Sequence, residues 1–238
     1  MHAFVEHFWT IEWNLAQPER RETLPYPSAH IVLEPGVCAL AGVTTKKYSR
    51  ILEGTSRVLG VKFRPGGLRP FVRSPVSAFT DRTLPLQEAM GEAAAGLDER
   101  ALAHADHHRA IAVVEAFLRS FRPLADATLR QACALADRIA RDRELKTVEQ
   151  LAAESGLGMR RLQRLFGEYV GVGPKWMIRR YRLQEAAARL ASACAVDWAG
   201  IALDLGYADQ AHFIRDFKRI VGKAPAEYRR GIDRRLEV

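Results

Sequence analysis

Apolar and polar positions change rhythm twice along the chain. Up to residue 85 the apolar residues fall in short runs rich in β-branched and aromatic side chains. These are Phe8-Trp9-Thr10-Ile11, Ala29-His30-Ile31-Val32-Leu33 and Val58-Leu59-Gly60-Val61-Lys62-Phe63. Pro25-Tyr26-Pro27, Glu34-Pro35-Gly36 and Arg64-Pro65-Gly66-Gly67 punctuate them, so they read as strands joined by turns. The implied unit is a small β-rich barrel or sandwich; periodicity alone does not choose between the two. From Leu86 to Phe121 the rhythm becomes helical, with Ile111, Val114, Phe117, Leu118 and Phe121 at three- and four-residue steps. That stripe is expected to pack on its own β domain, and it would also suit a dimer helix.

After Pro123 every segment reads as helix. Asp126 heads one that runs to about Arg141, and Thr147-Val148-Glu149-Gln150 is a capping box opening the next, which Gly156 stops. A second helix follows from Met159 to about Val170, closed by Gly171. Pro174 then opens a long helix carrying Trp176, Ile178, Tyr181 and Leu183 towards Leu190. The pattern repeats: Asp197 caps a helix through Leu205, Gly206 stops it, and Asp209 caps a helix to about Val221, closed by Gly222. These are two helix-turn-helix units in tandem. At 100° per residue, Leu162, Leu165, Phe166 and Tyr169 share one side of the first second-helix, while Arg160, Gln163, Arg164 and Gly167 point away. In the other unit Phe213, Phe217, Ile220 and Val221 form the apolar side, and Ala211, His212, Arg215, Lys218 and Arg219 face outward, with Gln210 at the start. Arg pairs bidentately with guanine and Gln with adenine, which is what a helix lying in a major groove requires.

Charge sharpens this picture. Of the 238 residues, 1–122 hold 15 Lys and Arg against 13 Asp and Glu, whereas 123–238 hold 21 against 15. The excess cation lies in the helical half, as expected of a polyanion-binding module. No stretch free of charged residues exceeds eleven, too short for a membrane helix of ~20 residues, so no membrane partner is expected. The first residues lack the form of a signal peptide. Three scattered cysteines, Cys38, Cys133 and Cys194, form neither a disulfide framework nor a zinc spacing. The expected compartment is the cytoplasm.

The stretch from Ile201 to Arg229 resembles the C-terminal motif of AraC/XylS-type transcription regulators through Gly206-Tyr207, Phe213, Phe217-Lys218, Gly222, Pro225 and Tyr228-Arg229. Leu151 to Pro174 is similar too, with Leu162-Gln163-Arg164-Leu165-Phe166 and Gly171 in place. The resemblance covers about residues 126–232. It implies two helix-turn-helix subdomains entering successive major grooves, with base contacts from Arg160, Gln163 and Arg164, and from Gln210, Ala211, His212, Ile214 and Arg215. Ala211 and Ile214 are apolar, which favours thymine methyls or a phosphate grip in the second subdomain. The N-terminal region resembles a sensor domain attached to some of these regulators. The resemblance rests on Phe8-Trp9-Thr10, Pro25 to Leu33, Gly60 to Gly67 and Leu84-Pro85-Leu86.

Other chemistry is weak. A metal enzyme on a β scaffold would need paired histidines with a further His and a carboxylate, but only His30, with Glu34 nearby, is suitably placed. His104, His107 and His108 have metal-like spacing without a supporting ligand and read as a solvated helix face. Cys38 reads as a small buried apolar residue. Arg64, before its Gly-Gly turn, is a weak candidate for an anionic effector. Trp9, Trp13, Tyr26, His30, Glu34 and Phe63 are the candidate effector pocket, aromatic with a few polar groups; the competing reading makes most of them core.

The expected protein is therefore α+β. Residues 1–122 form a β-rich effector-sensing or dimerisation domain whose last part, about 86–122, is a helical extension. Residues 123–238 form an all-α DNA-binding domain with two helix-turn-helix subdomains. No catalytic residue, metal or cofactor is expected. The resemblance implies promoter DNA as partner, a small-molecule effector, RNA polymerase where the regulator is an activator, and a homodimer where the stripe helix pairs. A constitutive regulator without ligand and a β-domain enzyme with an accessory helical part are the alternatives.

Overall fold

The computed structural model describes residues 1–192 and 198–236. Five strands, β1 (Val5–Thr23), β2 (His30–Glu34), β3 (Val37–Ala41), β4 (Tyr48–Phe63) and β5 (Thr83–Pro85), form one antiparallel sheet in the order β1-β4-β2-β3-β5. β1 and β4 pair along nearly their whole lengths, from Val5 opposite Phe63 to Thr23 opposite Tyr48, with register shifts after Val5 and after Leu15. β2 joins only the inner half of β4, His30 facing Lys62 and Leu33 facing Leu59.

Alternation sends Ile31, Leu33, Leu40, Leu59, Val61 and Phe63 to one face, where all are buried. Three helices, α1 (Leu86–Met90), α2 (Leu97–Leu102) and α3 (His107–Ser120), follow the sheet in sequence, and their apolar residues complete this core. The stripe on α3 thus packs on its own β region, with Val114 and Leu118 fully buried. Each such side chain contributes roughly 1.5–3 kcal/mol of burial.

The barrel-or-sandwich expectation resolves into a single sheet whose edge strands β1 and β5 are not paired to each other. The helices already cover one face, so no second sheet is needed. The outer half of the β1–β4 ribbon instead curls over the other face. Arg50 binds Glu34 although it lies nine residues along β4 from Leu59, the partner of Leu33, a straight-strand reach of ~30 Å.

The second half holds α4 (Ala127–Arg141), α5 (Val148–Ser155), α6 (Met159–Tyr169), α7 (Pro174–Ser192), α8 (Trp198–Asp204), α9 (Gln210–Val221) and α10 (Pro225–Leu236). The caps read from sequence are in place. Asp126 accepts from the Leu129 N–H, Thr147 and Gln150 complete the capping box, and Asp209 accepts from the His212 N–H. Asp197 and Cys194 lie outside the described residues. One core gathers α4 to α6 and the start of α7 around Ala132, Leu151, Leu162, Phe166 and Met177. The other gathers the end of α7 with α8 and α9 around Leu183, Ala202, Phe213 and Phe217, and Tyr228 of α10 closes it.

Two seams join the halves. At the first, Arg69 pairs with Glu168 at 2.7 Å, Arg64 with Asp137 at 2.5 Å, and the Thr80 hydroxyl donates to the Gly171 carbonyl at 2.6 Å. At the second, Arg180 donates to the Pro25 carbonyl at 2.5 Å, and the Tyr26 ring lies between Lys62 and Arg180 at 4.4 and 4.1 Å. Leu24 packs on the α8–α9 core.

Candidate nucleic-acid interface

The α5–α6 pair is a helix-turn-helix. Gly156 ends α5 in a left-handed conformation, and α6 begins three residues later. α6 buries Leu162, Leu165 and Phe166. Arg160, Arg161, Gln163 and Arg164 on its other side are exposed. This is the face assigned to base reading. Gly167 is partly covered, with the Ser77 hydroxyl beside it, so the exposed polar side is confined to the first half of α6.

The α8–α9 pair repeats the arrangement with one change. Gln210, Ala211, Arg215 and Lys218 are exposed. Ile214 packs against the core instead, and His212 is half-buried. Its ring stands edge-on to Tyr207 at 5.1 Å and 3.7 Å from the Asp216 carboxylate. The expected outward reading by His212 and Ile214 is therefore corrected: both are half-buried, His212 drawn to the buried Asp216 carboxylate that also gathers Arg179 and Arg219, and Ile214 packed on the apolar core.

Between the two units the structure holds a cleft of about 260 Å³. Its floor is α7, through Lys175, Ile178, Arg179 and Arg182. Its walls are the start of α5 and the turn from Leu205 to Tyr207, with His212. Gly206 takes a positive φ of 75° and packs under Arg182 and Lys146, where a side chain would meet the guanidinium. Arg182 is buried and donates to two carbonyls, Leu145 before α5 and Leu205 at the end of α8. It thus ties the two units together through the helix that separates them. Sequence reading missed this tie. The available signal was that Arg182 stands four residues after Ile178 and four before Ala186, inside the buried stripe of α7.

Of the effector-pocket residues, Trp9, Trp13, His30 and Glu34 share by alternation the sheet face under the curling ribbon. Tyr26 stacks on Lys62 at its rim. Phe63 is corrected to core: it neighbours Lys62 on the opposite face, fully buried against Phe71. Trp9 lies over Gly60, and the Trp9 and His30 rings meet edge-on at 6.2 Å. Trp9 Nε1 and His30 Nδ1 are buried there without a hydrogen-bond partner. Burial, then Lys62 and His7, push the His30 imidazole down to about 4, so it is neutral near pH 7.

Glu34 is occupied by Arg50, which removes it as a metal ligand beside His30. The expectation that His104, His107 and His108 form one solvated helix face is corrected: His104 precedes the Asp106 cap and lies outside α3. Arg64 serves the first seam. Cys38 and Cys133 are half-buried; burial raises both thiols, that of Cys133 to about 11. Among the described residues no group of three or more His, Cys, Asp and Glu is placed to hold a metal, and no helix is long and apolar enough to cross a membrane.

Residues 151–231 match a helix-turn-helix domain family, and residues 1–85 match a domain of unknown function, DUF6597. An uncharacterized HTH-type transcriptional regulator of Haemophilus influenzae is 33% identical over 85 residues, 36% of this chain and 28% of its own length. A putative HTH-type transcriptional regulator of Escherichia coli K12, YkgA, is 38% identical over 85 residues, 35% of this chain and 34% of its own. The chain thus spans about a third of the length of these relatives. ToxT from Vibrio cholerae aligns over 93% of this chain and 97% of its own at 12% identity, with a TM-score of 0.42. Residues 151–231 are an AraC-type helix-turn-helix domain, carried behind a β-rich domain of the DUF6597 type.

Proposed function

We propose that the chain is a sequence-specific DNA-binding transcription regulator, with residues 1–122 as sensor domain and 123–238 as DNA-binding domain. The observation that carries this reading is the pair of exposed second helices. α6 offers Arg160, Gln163 and Arg164, and α9 offers Gln210, Ala211, Arg215 and Lys218, on units tied at a fixed separation by Arg182. Arg and Gln are the side chains that read guanine and adenine edges, and two such helices on one body suit successive major grooves.

Control by a small molecule is supported by the unpartnered Trp9 Nε1 and His30 Nδ1 under the curled ribbon. Buried polar atoms are costly unless something bonds them, and a ligand with a hydrogen-bonding group satisfies both needs. The seams then connect that face to α6 and α7. A purely constitutive regulator leaves those atoms unexplained. RNA polymerase as partner and a homodimer through α3 belong to the same proposal, as does a site of action in the cytoplasm.

Selection of bound sequences from a random duplex pool, followed by affinity at two salt concentrations, tests the reading. Two sequence elements ~10 bp apart are expected. No enrichment, with affinity collapsing as salt rises, reduces the protein to a backbone binder and overturns it.

A further inference from the structure

We propose that the cleft between the two helix-turn-helix units is a phosphodiester site, in which the Tyr207 hydroxyl, Lys146 and Lys175 hold a backbone phosphate of the duplex between the two reading helices. The proposal rests on the DNA-binding reading above and adds a site to it.

Three observations converge on the cleft. First, Tyr207 is only 5% exposed, yet its hydroxyl has no hydrogen-bond partner among the described residues, and the residue lines the cleft. Burial, together with the Asp216 carboxylate, raises the phenol well above its ordinary range. It therefore remains a protonated donor; Asp216 Oδ2 is likewise buried without a hydrogen-bond partner, and its charge reaches the phenol.

Second, the cleft's charge is cationic. Lys146 and Lys175 line it, as do Arg179 and Arg182. Arg182 is committed to backbone carbonyls and Arg179 lies 3.5 Å from Asp216, which leaves the two lysines to meet an incoming anion. Glu149 is the one carboxylate among the lining residues. Asp216 stands behind His212 with Arg179 and Arg219 on it.

Third, the cleft borders α9 through His212 and the start of α5, the helix that precedes α6. A duplex offering successive major grooves to α6 and α9 carries its intervening backbone across the gap between them. His212 forms part of the cleft wall while its helical neighbours Ala211 and Arg215 are exposed, so the cleft adjoins the reading face of α9. A hydroxyl and two ammonium groups match a phosphate and carry no base information.

The test uses the full chain and its Tyr207→Phe and Lys175→Ala variants in fluorescence anisotropy with duplexes of several sequences, alongside thermal melting. Tyr207→Phe deletes only an unsatisfied hydroxyl, so it is expected to melt at or above the parent temperature. It should bind every duplex about tenfold more weakly, because a hydrogen bond to a charged acceptor is lost, with the ranking of sequences unchanged. Lys175→Ala is expected to reduce the slope of log affinity against log salt by about one. Equal binding by Tyr207→Phe and parent overturns the proposal. A melting shift by inorganic phosphate that Tyr207→Phe abolishes, with duplex affinity untouched, also overturns it, since the site then takes a free anion. If the parent binds no duplex at all, the regulator reading fails. The phosphate melting shift then decides the cleft alone: loss of the shift in Tyr207→Phe upholds an anion site, and no shift in the parent removes it.

Discussion

Single side chains in this molecule fall into those that are spent on the fold and those that are held in reserve. Arg164 is exposed on α6 with its guanidinium uncommitted among the described residues, whereas Arg182, eighteen positions on, is buried on two carbonyls. Arg164→Ala is therefore expected to leave the melting temperature nearly unchanged. It should cost ~1–3 kcal/mol of binding and relax preference at one base pair; a uniform loss across sequences would make it a phosphate contact instead. His30 is a reserve of another kind. Its folded value near 4 lies below the ordinary 6.5, so on acidification the unfolded chain takes up a proton that the folded chain refuses. The stability that this group contributes is present above about pH 6.5 and is lost as the pH falls towards 4. Between pH 7 and pH 5 the parent is expected to lose about 2 kcal/mol more than a His30→Phe variant, read from urea midpoints at the two values. Parallel losses would show that His30 is not the group responsible.

Elements show how much the amino-acid pattern reveals and where it stops. Capping is local chemistry, so Asp126, Thr147 with Gln150, and Asp209 could be placed from sequence and are found as caps. β3 escaped because Val37-Cys38-Ala39-Leu40-Ala41 has a single β-branched residue and no aromatic one, and its strand character comes from pairing with β2. β5 is only three residues long and exists by pairing with β3. The reach of β1 to Thr23 escaped for a similar reason. Its outer half is charged and exposed, and it is strand because β4 lies beside it. The exposed sides of α6 and α9 were legible because outward faces follow from 100° steps. The inward lean of His212 and Ile214 was not, since it depends on Asp216 and on a core assembled from distant helices. α7 is the clearest case of an element whose role is tertiary. Removing its Arg182 side chain, as in Arg182→Leu, leaves the Leu145 and Leu205 carbonyls without their donor and is expected to cost roughly 2–3 kcal/mol, seen as a lower melting temperature. Affinity for a two-element duplex should fall further than affinity for either element alone, because only the former requires the units at a set separation.

On the scale of the whole molecule, the β-rich half grips both helix-turn-helix units at once. The first seam fixes the far end of α6 through Glu168 and Gly171, and the second fixes α7 through Arg180 with Leu24 lodged in the α8–α9 core. A ligand under the curled ribbon would touch Trp9 and His30. His30 lies opposite Lys62, whose ammonium faces the Tyr26 ring stacked on Arg180. The chain of contacts from that face to α7 is thus two side chains long. For an effector to act through it, the ligand must favour one arrangement of the seam over the other. The seam in turn must contribute to how the two reading helices are presented. Tyr26→Ala removes the ring shared by Lys62 and Arg180 without touching a DNA-facing residue. If the β-rich half pre-organises the units, this variant should bind a two-element duplex several-fold more weakly while binding a single element as before, since only the order of the two units has been loosened. Anisotropy with the two duplexes side by side measures the difference. Tighter two-element binding by Tyr26→Ala would reverse the sign of the coupling and make the β-rich half a restraint that holds the reading helices apart from their operator.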